Sequence, residues 1–270
     1  MGWQIKLQKL DKSKYTKEEY KKLKRQRKQS KIASAGYNIV CVKHGSKYPA
    51  QYVNTLYNMC KRHCTYDFTF VCLTDDPTNL NPNITTVELP PGIQGWWAKP
   101  YMFSNELELV GQILYMDLDV VVGASIDKLF TYKADNWCII RDFLRSQRTE
   151  WKKYNSSVIR FTSGELNQLW LDFTDNQRDI QKRFRGDQDY IWDWAMRNKK
   201  AEFFPDQWIR SWKWEVRSSK EWATPIKSPG YRTLKVIENV VPPADCCIAV
   251  FHGDPNPSNC KDPWVVDNWR

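Results

Sequence analysis

The sequence predicts an α/β protein built on one mostly parallel sheet. Short runs rich in Val, Ile, Cys and Phe recur along it, amphipathic helix-length segments separate several of them, and charged residues stand where the runs end. At 270 residues the chain is long enough for one large domain that needs neither disulfides nor a structural metal.

Taken in order, Tyr37-Asn38-Ile39-Val40-Cys41-Val42 reads as a buried strand, followed by the loop Lys43-His44-Gly45-Ser46-Lys47-Tyr48. Pro49 suits a helix start, and Tyr52, Val53, Leu56, Tyr57 and Cys60 share one face of the helix that follows. Phe68–Leu73 is a second buried strand, running into Thr74-Asp75-Asp76, and Ile84–Leu89 is a short third one. Pro90-Pro91-Gly92 breaks the chain, and Trp97–Leu109 is expected to be a helix. Ile113–Met116 is the next strand; it meets Asp117-Leu118-Asp119, and Val120–Val122 is expected to continue it. Strands are expected at Trp137–Ile140, Ser157–Phe161 and Cys246–Phe251, and helices at Gly164–Phe173 and Asp187–Arg197.

The formal charge is +10, but it is unevenly placed. Residues 1–31 hold twelve Lys and Arg against three acids, Asp11, Glu18 and Glu19, while the other 239 residues balance to +1. A basic N-terminal extension over residues 1–35, helical near Thr16–Gln29, is therefore expected to precede a domain over 36–270. The extension suits an acidic partner, nucleic acid included. The composition, 41% hydrophobic and 27% charged, excludes a fully disordered chain. No apolar run is long enough to span a bilayer, and the first residues lack a signal core. Several of the eight cysteines lie in apolar strand-like runs, so a reduced, cytoplasmic protein is expected. Cys60 and Cys64 have no second pair at zinc-ligand spacing. Tryptophan, at 14 residues, outnumbers glycine, at 11. Trp192, Trp194, Trp208, Trp212, Trp214 and Trp222 crowd the second half, as core for the most part and as a sugar-stacking platform for some.

Ligands of open α/β sheets bind beyond the carboxyl ends of the strands. The loop after the first strand, Asp75-Asp76, Asp117, Asp119 and His252 all fall at such ends. Two carboxylates one residue apart in a turn can reach one hard cation, Mg²⁺ or Mn²⁺, and the imidazole of His252 shifts the preference toward Mn²⁺. Asp187-Gln188-Asp189 is a second Asp-x-Asp, without flanking strands.

These residues carry a resemblance to glycogenin and related family-eight glycosyltransferases of the GT-A fold. Six short stretches agree in order over about residues 37–257: Ile39–Tyr48, Leu73-Thr74-Asp75-Asp76, Leu114–Val122 with Ser125–Phe130, Asn155-Ser156-Ser157-Val158, Gly186-Asp187-Gln188 and Phe251-His252-Gly253. Lys99 stands at about the family's helix-lysine spacing before Asp117. The resemblance implies a metal-dependent, retaining transferase moving a hexose from a nucleotide-sugar, most often UDP-linked, to an acceptor it does not name. It implies Mn²⁺ (or Mg²⁺) at Asp117, Asp119 and His252, and Tyr48 stacked on the base. Asp76, Lys99 and Asn155 would lie near the donor, and Asp187 and Gln188 would face sugar and acceptor. From the residues alone, Asp76 and Asn155 also read as turn residues, Asp187 as a helix cap and Tyr48 as ordinary packing. One departure stands out: the family's diphosphate-holding lysine, expected after the C-terminal His-x-Gly, is replaced by Asp254 and Asn256, which leaves Lys261 or Lys43 as substitutes. A sugar nucleotidyltransferase is a second reading, although the glycine-rich first loop is missing. A basic nucleic-acid-binding protein with an inactive transferase-like body is a third.

Overall fold

The protein is described by a computed structural model covering residues 36–225 and 232–270 together with Thr16 and Glu19. The rest of the expected basic extension lies outside the described residues. Thr16 and Glu19 make the reciprocal bonds of a capping box, with Glu19 Oε2 accepting the Thr16 N–H at 2.9 Å and Thr16 Oγ1 accepting the Glu19 N–H at 3.3 Å.

The described chain runs β1 (Tyr37–Lys43), α1 (Ala50–His63), β2 (Phe68–Thr74), β3 (Thr85–Glu88), β4 (Gln112–Met116), β5 (Val120–Val122), α2 (Asp127–Thr131), β6 (Cys138–Arg141) and β7 (Tyr154–Thr162). It continues through α3 (Asn167–Asp175), α4 (Gln177–Arg183), α5 (Asp187–Arg197), β8 (Glu202–Phe203), β9 (Ile209–Ser211), β10 (Ser218–Pro225), β11 (Arg232–Val236), β12 (Ile248–Val250) and α6 (Pro263–Asn268). Seven strands form the central sheet in the order β3-β2-β1-β4-β7-β6-β8. The β3-β2, β2-β1, β1-β4 and β6-β8 pairs are parallel, and only β7 runs against its two neighbours. This is the expected mixed, mostly parallel α/β sheet.

The apolar runs read as strands because both faces of this sheet are covered. Ile39, Cys41, Phe70, Cys72, Leu114 and Met116 face one core, packed under α1 and a small second sheet. Val40, Val71, Leu73, Ile113 and Tyr115 face the other, under α3 and α5. Lys43 pairs in register with Thr74, so β1 and β2 end side by side, next to the end of β4. That edge is where the charged residues collect.

Two elements differ from the sequence expectation. Residues 97–109 do not form one helix: Gly95–Phe103 is a 3₁₀ stretch containing Pro100, and Asn105–Leu107 is a separate 3₁₀ turn. Proline cannot donate the bond that an α-helix needs there, and Glu108, at φ 51, stops the second turn. Val120–Val122 does not extend β4 within its sheet either. After Asp117-Leu118-Asp119 the chain enters a second sheet, β5-β12-β9, where β5 runs antiparallel to β12. An apolar triplet has the same pattern in either sheet, so the sequence leaves this change of partner open. The sequence pattern does not predict the short α2, α4 and α6 or the β10-β11 hairpin.

The second sheet is fixed from outside by Arg145, which is buried on the turn Phe143–Ser146. Its guanidinium pairs with Glu215 at 2.9 Å and with Asp206 at 2.9 Å, and donates to the Ile209 carbonyl at 2.6 Å. Glu215 lies in the π-helical turn Trp212–Val216 and accepts the Ser211 N–H at 2.8 Å. Removing one member of such a network leaves a buried charge unpaired. Arg145→Leu should lower the unfolding free energy in urea by about 3 kcal/mol. Arg145→Lys should recover little of it, because one ammonium cannot reproduce a forked set of donors. A loss within experimental error for Arg145→Leu would show the network to be dispensable.

Candidate active site

A cavity of about 730 Å³ opens at the carboxyl edge of β1 and β4. Its lining includes six of the nine residues singled out in the sequence: Tyr48, Lys99, Asp117, Asp119, Asp187 and Gln188. They arrive from the loop after β1, the 3₁₀ stretch, the turn between β4 and β5, and the first turn of α5.

Lys99 is the centre of the site. Its side chain is buried, and its ammonium lies 2.9 Å from Asp117 Oδ1 and 3.0 Å from Asp187 Oδ2. Ser156 Oγ accepts from it at 2.9 Å and itself donates to Asp187 Oδ2 at 2.8 Å. Burial acts to lower the Lys99 pKa, but the two carboxylates outweigh it and hold the ammonium well above its ordinary value. Asp187 is therefore neither a solvent acid nor the helix cap; the cap position belongs to Gly186, and Asp187 turns inward. Gln188 Oε1 accepts the Ser156 N–H at 3.2 Å, which ties the start of α5 to β7.

Asp117 and Asp119 occupy the change of sheet. The Asp117 N–H donates to Ser157 O at 2.8 Å and the Asp119 carbonyl accepts from Phe251 N at 2.9 Å, so the turn is held by β7 on one side and by the end of β12 on the other. Tyr115 donates to Asp117 Oδ1 at 2.6 Å and Tyr48 to Asp119 Oδ2 at 2.9 Å. Burial, together with the charge of Asp117, pushes the Asp119 pKa up to about 6. Asp117 Oδ2 and Asp119 Oδ1 have no hydrogen-bond donor among the described residues. Two close carboxylates, each with one oxygen uncommitted and one of them strained toward its neutral form, fit a hard divalent cation.

Three expected residues stand elsewhere. His252 does not join the two aspartates. Its Nε2 is 2.6 Å from Ser211 Oγ, which also accepts the Trp214 N–H at 3.0 Å. Its ring stacks on Phe143 and meets Trp214 edge-on. Among the described residues no group of three His, Cys, Asp or Glu side chains is placed to hold a metal. Asp76 is exposed and closes its own turn, accepting the Thr78 N–H at 2.9 Å, and its carboxylate lies 3.6 Å from Lys43. Lys43, a sequence candidate for the missing phosphate cation, is thus engaged. Asn155 Oδ1 accepts the Ser157 N–H at 3.0 Å as a local turn, and the cavity is lined instead by Ser156 and Ser157.

The Tyr48 ring carries Lys47 Nζ above it at 4.8 Å and Tyr52 at 4.8 Å, so much of its surface is taken by the protein. Asp75, passed over in favour of Asp76, binds the Gly45 N–H with both oxygens, at 3.1 and 3.0 Å, and shapes the loop after β1. Ser156, Tyr115 and Trp96 were also missed. Ser156 sat inside a matched motif, whereas nothing in the sequence separates Trp96 from Trp97. Of the tryptophans read as core, Trp194 and Trp212 are buried, and Trp192, Trp208 and Trp214 are half-buried.

The fold is shared with solved glycosyltransferases. The galactosyltransferase LgtC in complex with donor and acceptor sugar analogs matches with a TM-score of 0.55 and 14% identity, over 85% of this chain and 93% of that one. An active-site mutant of LgtC matches with a TM-score of 0.54 and 14% identity, over 84% and 91%. The apo-form glycosyltransferase GlyE of Streptococcus pneumoniae aligns with 65% of this chain and 46% of its own, at 13% identity and a TM-score of 0.49. At such identities the likeness to LgtC, a family-eight enzyme, is one of fold, and that fold is GT-A. No family model matches the sequence, and no curated protein does.

The placement of His252 has a measurable consequence. Burial, with Lys213 nearby, lowers its pKa to about 4 from 6.5, against a smaller opposing effect of Asp142. Between those values the folded ring stays neutral while the unfolded chain takes the proton, so stability falls as pH drops through the window. Urea denaturation from about pH 7 to pH 4.5 should show wild type losing on the order of 2 kcal/mol more than His252→Gln. Equal slopes for the two proteins would mean that His252 titrates freely in the fold.

Proposed function

We propose that the chain is a metal-dependent glycosyltransferase that moves a hexose from a UDP-linked donor to an acceptor with retention at the anomeric carbon. The observation that carries this reading is the single cavity that gathers Tyr48, Lys99, Asp117, Asp119, Asp187 and Gln188 at the carboxyl edge of the sheet, in a fold shared with LgtC.

The residues divide the work. The loop after β1, with Lys47 and Tyr48, forms the nucleotide end of the cavity. Asp117 and Asp119 would hold Mn²⁺ or Mg²⁺ through the oxygens that accept no protein bond. When bound, such an ion supplies positive charge against the leaving diphosphate. Asp187 and Gln188 stand at the sugar end. Lys99 pairs with both Asp187 and Asp117 and fixes them in position, and Ser156 holds both Asp187 and Gln188. No strong base is needed for a transfer that depends on stabilising the leaving group.

A screen of nucleotide-sugars with Mn²⁺, scored by release of nucleoside diphosphate, tests the reading. At least one UDP-sugar should be hydrolysed or transferred, chelation should stop the reaction and added Mn²⁺ should restore it. Asp119→Ala should slow turnover by roughly a hundredfold or more, the scale of losing several kcal/mol of charge stabilisation. Turnover of no donor, or an Asp119→Ala protein as fast as wild type, would sink the proposal. An inverted product anomer would reject retention alone.

A further inference from the structure

Trp96 is the one large aromatic at the cavity that stays mostly in water. It is 60% exposed, more than any other described tryptophan, and it lines the cavity with Asp187 and Gln188. Its neighbour Trp97 is half-buried and stacks on Phe173 at 5.7 Å against the second core. Both indoles line the cavity, but Trp97 is tied to the second core while Trp96 is left largely exposed.

The exposed ring is held in place. Gly95 takes φ 59, where a side chain would be strained, and donates its N–H to His44 Nδ1 at 3.2 Å. Trp97 fixes the backbone on the other side, and Lys99 fixes it two residues further on. Nε1, Cδ1 and Cε2 of the indole lie 3.4 to 3.8 Å from where a Cβ on Gly186 would stand, so the ring rests against the start of α5 with room for ordinary contact. A rigid apolar surface left facing a binding cavity is the mark of a ligand contact.

We propose that Trp96 is the platform for the pyranose ring of a glycoside acceptor. This rests on the transfer reading above. A pyranose has an apolar C–H face and a rim of hydroxyls, and the surroundings match both: the indole for the face, and Gln188 and Ser157 on the lining for the rim. A nucleobase would instead need flat cover without this set of hydroxyl partners. The acceptor, and not the transferred hexose, belongs here because Trp96 lies at the mouth of the cavity, above the buried Lys99–Asp187 pair. The tryptophan platform thus moves from the second half of the chain to a residue next to the 3₁₀ stretch's start.

The test is fluorine NMR on the full chain labelled with fluorotryptophan, with the Trp96 resonance assigned from Trp96→Phe. Lactose, maltose, methyl α-glucoside and methyl β-galactoside are titrated in the presence of UDP and Mg²⁺. The Trp96 resonance should move saturably with at least one of them. Saturation transfer to that sugar should fall about tenfold in Trp96→Ala and less in Trp96→Phe. A resonance that moves with UDP alone and ignores every sugar makes Trp96 a base-stacking residue and overturns the proposal, as does a resonance that moves with nothing. Donor hydrolysis by the wild type is read separately. Hydrolysis with an unmoved Trp96 defeats the platform alone, whereas sugar-dependent shifts without hydrolysis of any donor defeat the transfer reading and leave a sugar-binding site.

Discussion

The arrangement of the site depends on one buried ammonium. Lys99 touches Asp117 at the end of β4, Asp187 at the start of α5 and Ser156 on β7, and each contact is about 3 Å. Without it, carboxylates from two separate elements would face each other across a half-dry gap. Buried ion pairs of this kind add little net stability, because desolvation offsets most of the attraction. Their effect is on geometry: with the cation in place, the 3₁₀ stretch, the sheet edge and α5 have one relative arrangement that satisfies all three charges. That arrangement sets the floor of the cavity and, through the backbone three residues back, the position of Trp96.

The second constraint is the transfer of the chain from one sheet to the other at Asp117-Leu118-Asp119. Leu118 is buried at the junction, and the two aspartates are left on the cavity side. The hydrogen bonds from Asp117 to Ser157 and from Phe251 to Asp119 hold this turn at both ends, so the spacing of the carboxylates is fixed by backbone and not by side-chain rotamers alone. The same β12 carries His252 one residue past Phe251. Its imidazole meets Ser211, whose own N–H is held by Glu215 and, through it, by Arg145. The histidine thus belongs to a network that closes the second sheet.

What the sequence made legible follows from burial. Strands of a sheet covered on both faces are continuous apolar runs, so β1, β2, β4, β7 and β12 could be located, and with them the edge where Tyr48, Asp117 and Asp119 collect. Side-chain direction was much less accessible. Asp75 and Asp76 are adjacent acids, and only the loop after β1 decides that Asp75 reaches Gly45 while Asp76 closes its own turn. Asn155 and Ser156 lie in one motif, yet a register irregularity between β6 and β7 accompanies the change that puts Ser156 under Lys99. His252 sits at a strand end as expected, but its partner is set by residues 41 positions away. Trp96 and Trp97 are chemically identical, and only the fold decides that Trp97 packs against the second core while Trp96 stays exposed.

The charge balance of the cavity bears on how a diphosphate could be accommodated there. Asp117, Asp119 and Asp187 line it, against Lys99 and the exposed Lys47. Lys99 is shared by two of the acids and has no capacity left for a third anion. The domain as a whole is close to neutral, so no broad basic field makes up the difference. Of the two substitutes for the absent C-terminal lysine, Lys43 is bound to Asp76 and Lys261 is not part of the cavity lining, while Asp254, near the lysine's place, turns to its own loop, accepting from Asn259 Nδ2 at 3.2 Å. A ligand with two phosphate groups would then meet carboxylates at short range with one exposed lysine, Lys47, to offset them. Like charges at such distances cost several kcal/mol in a partly desolvated site. Under the proposed transfer, a diphosphate donor would therefore need a divalent cation with it, and Lys47, on the loop that begins with Lys43, would be the exposed cation that the lining itself adds.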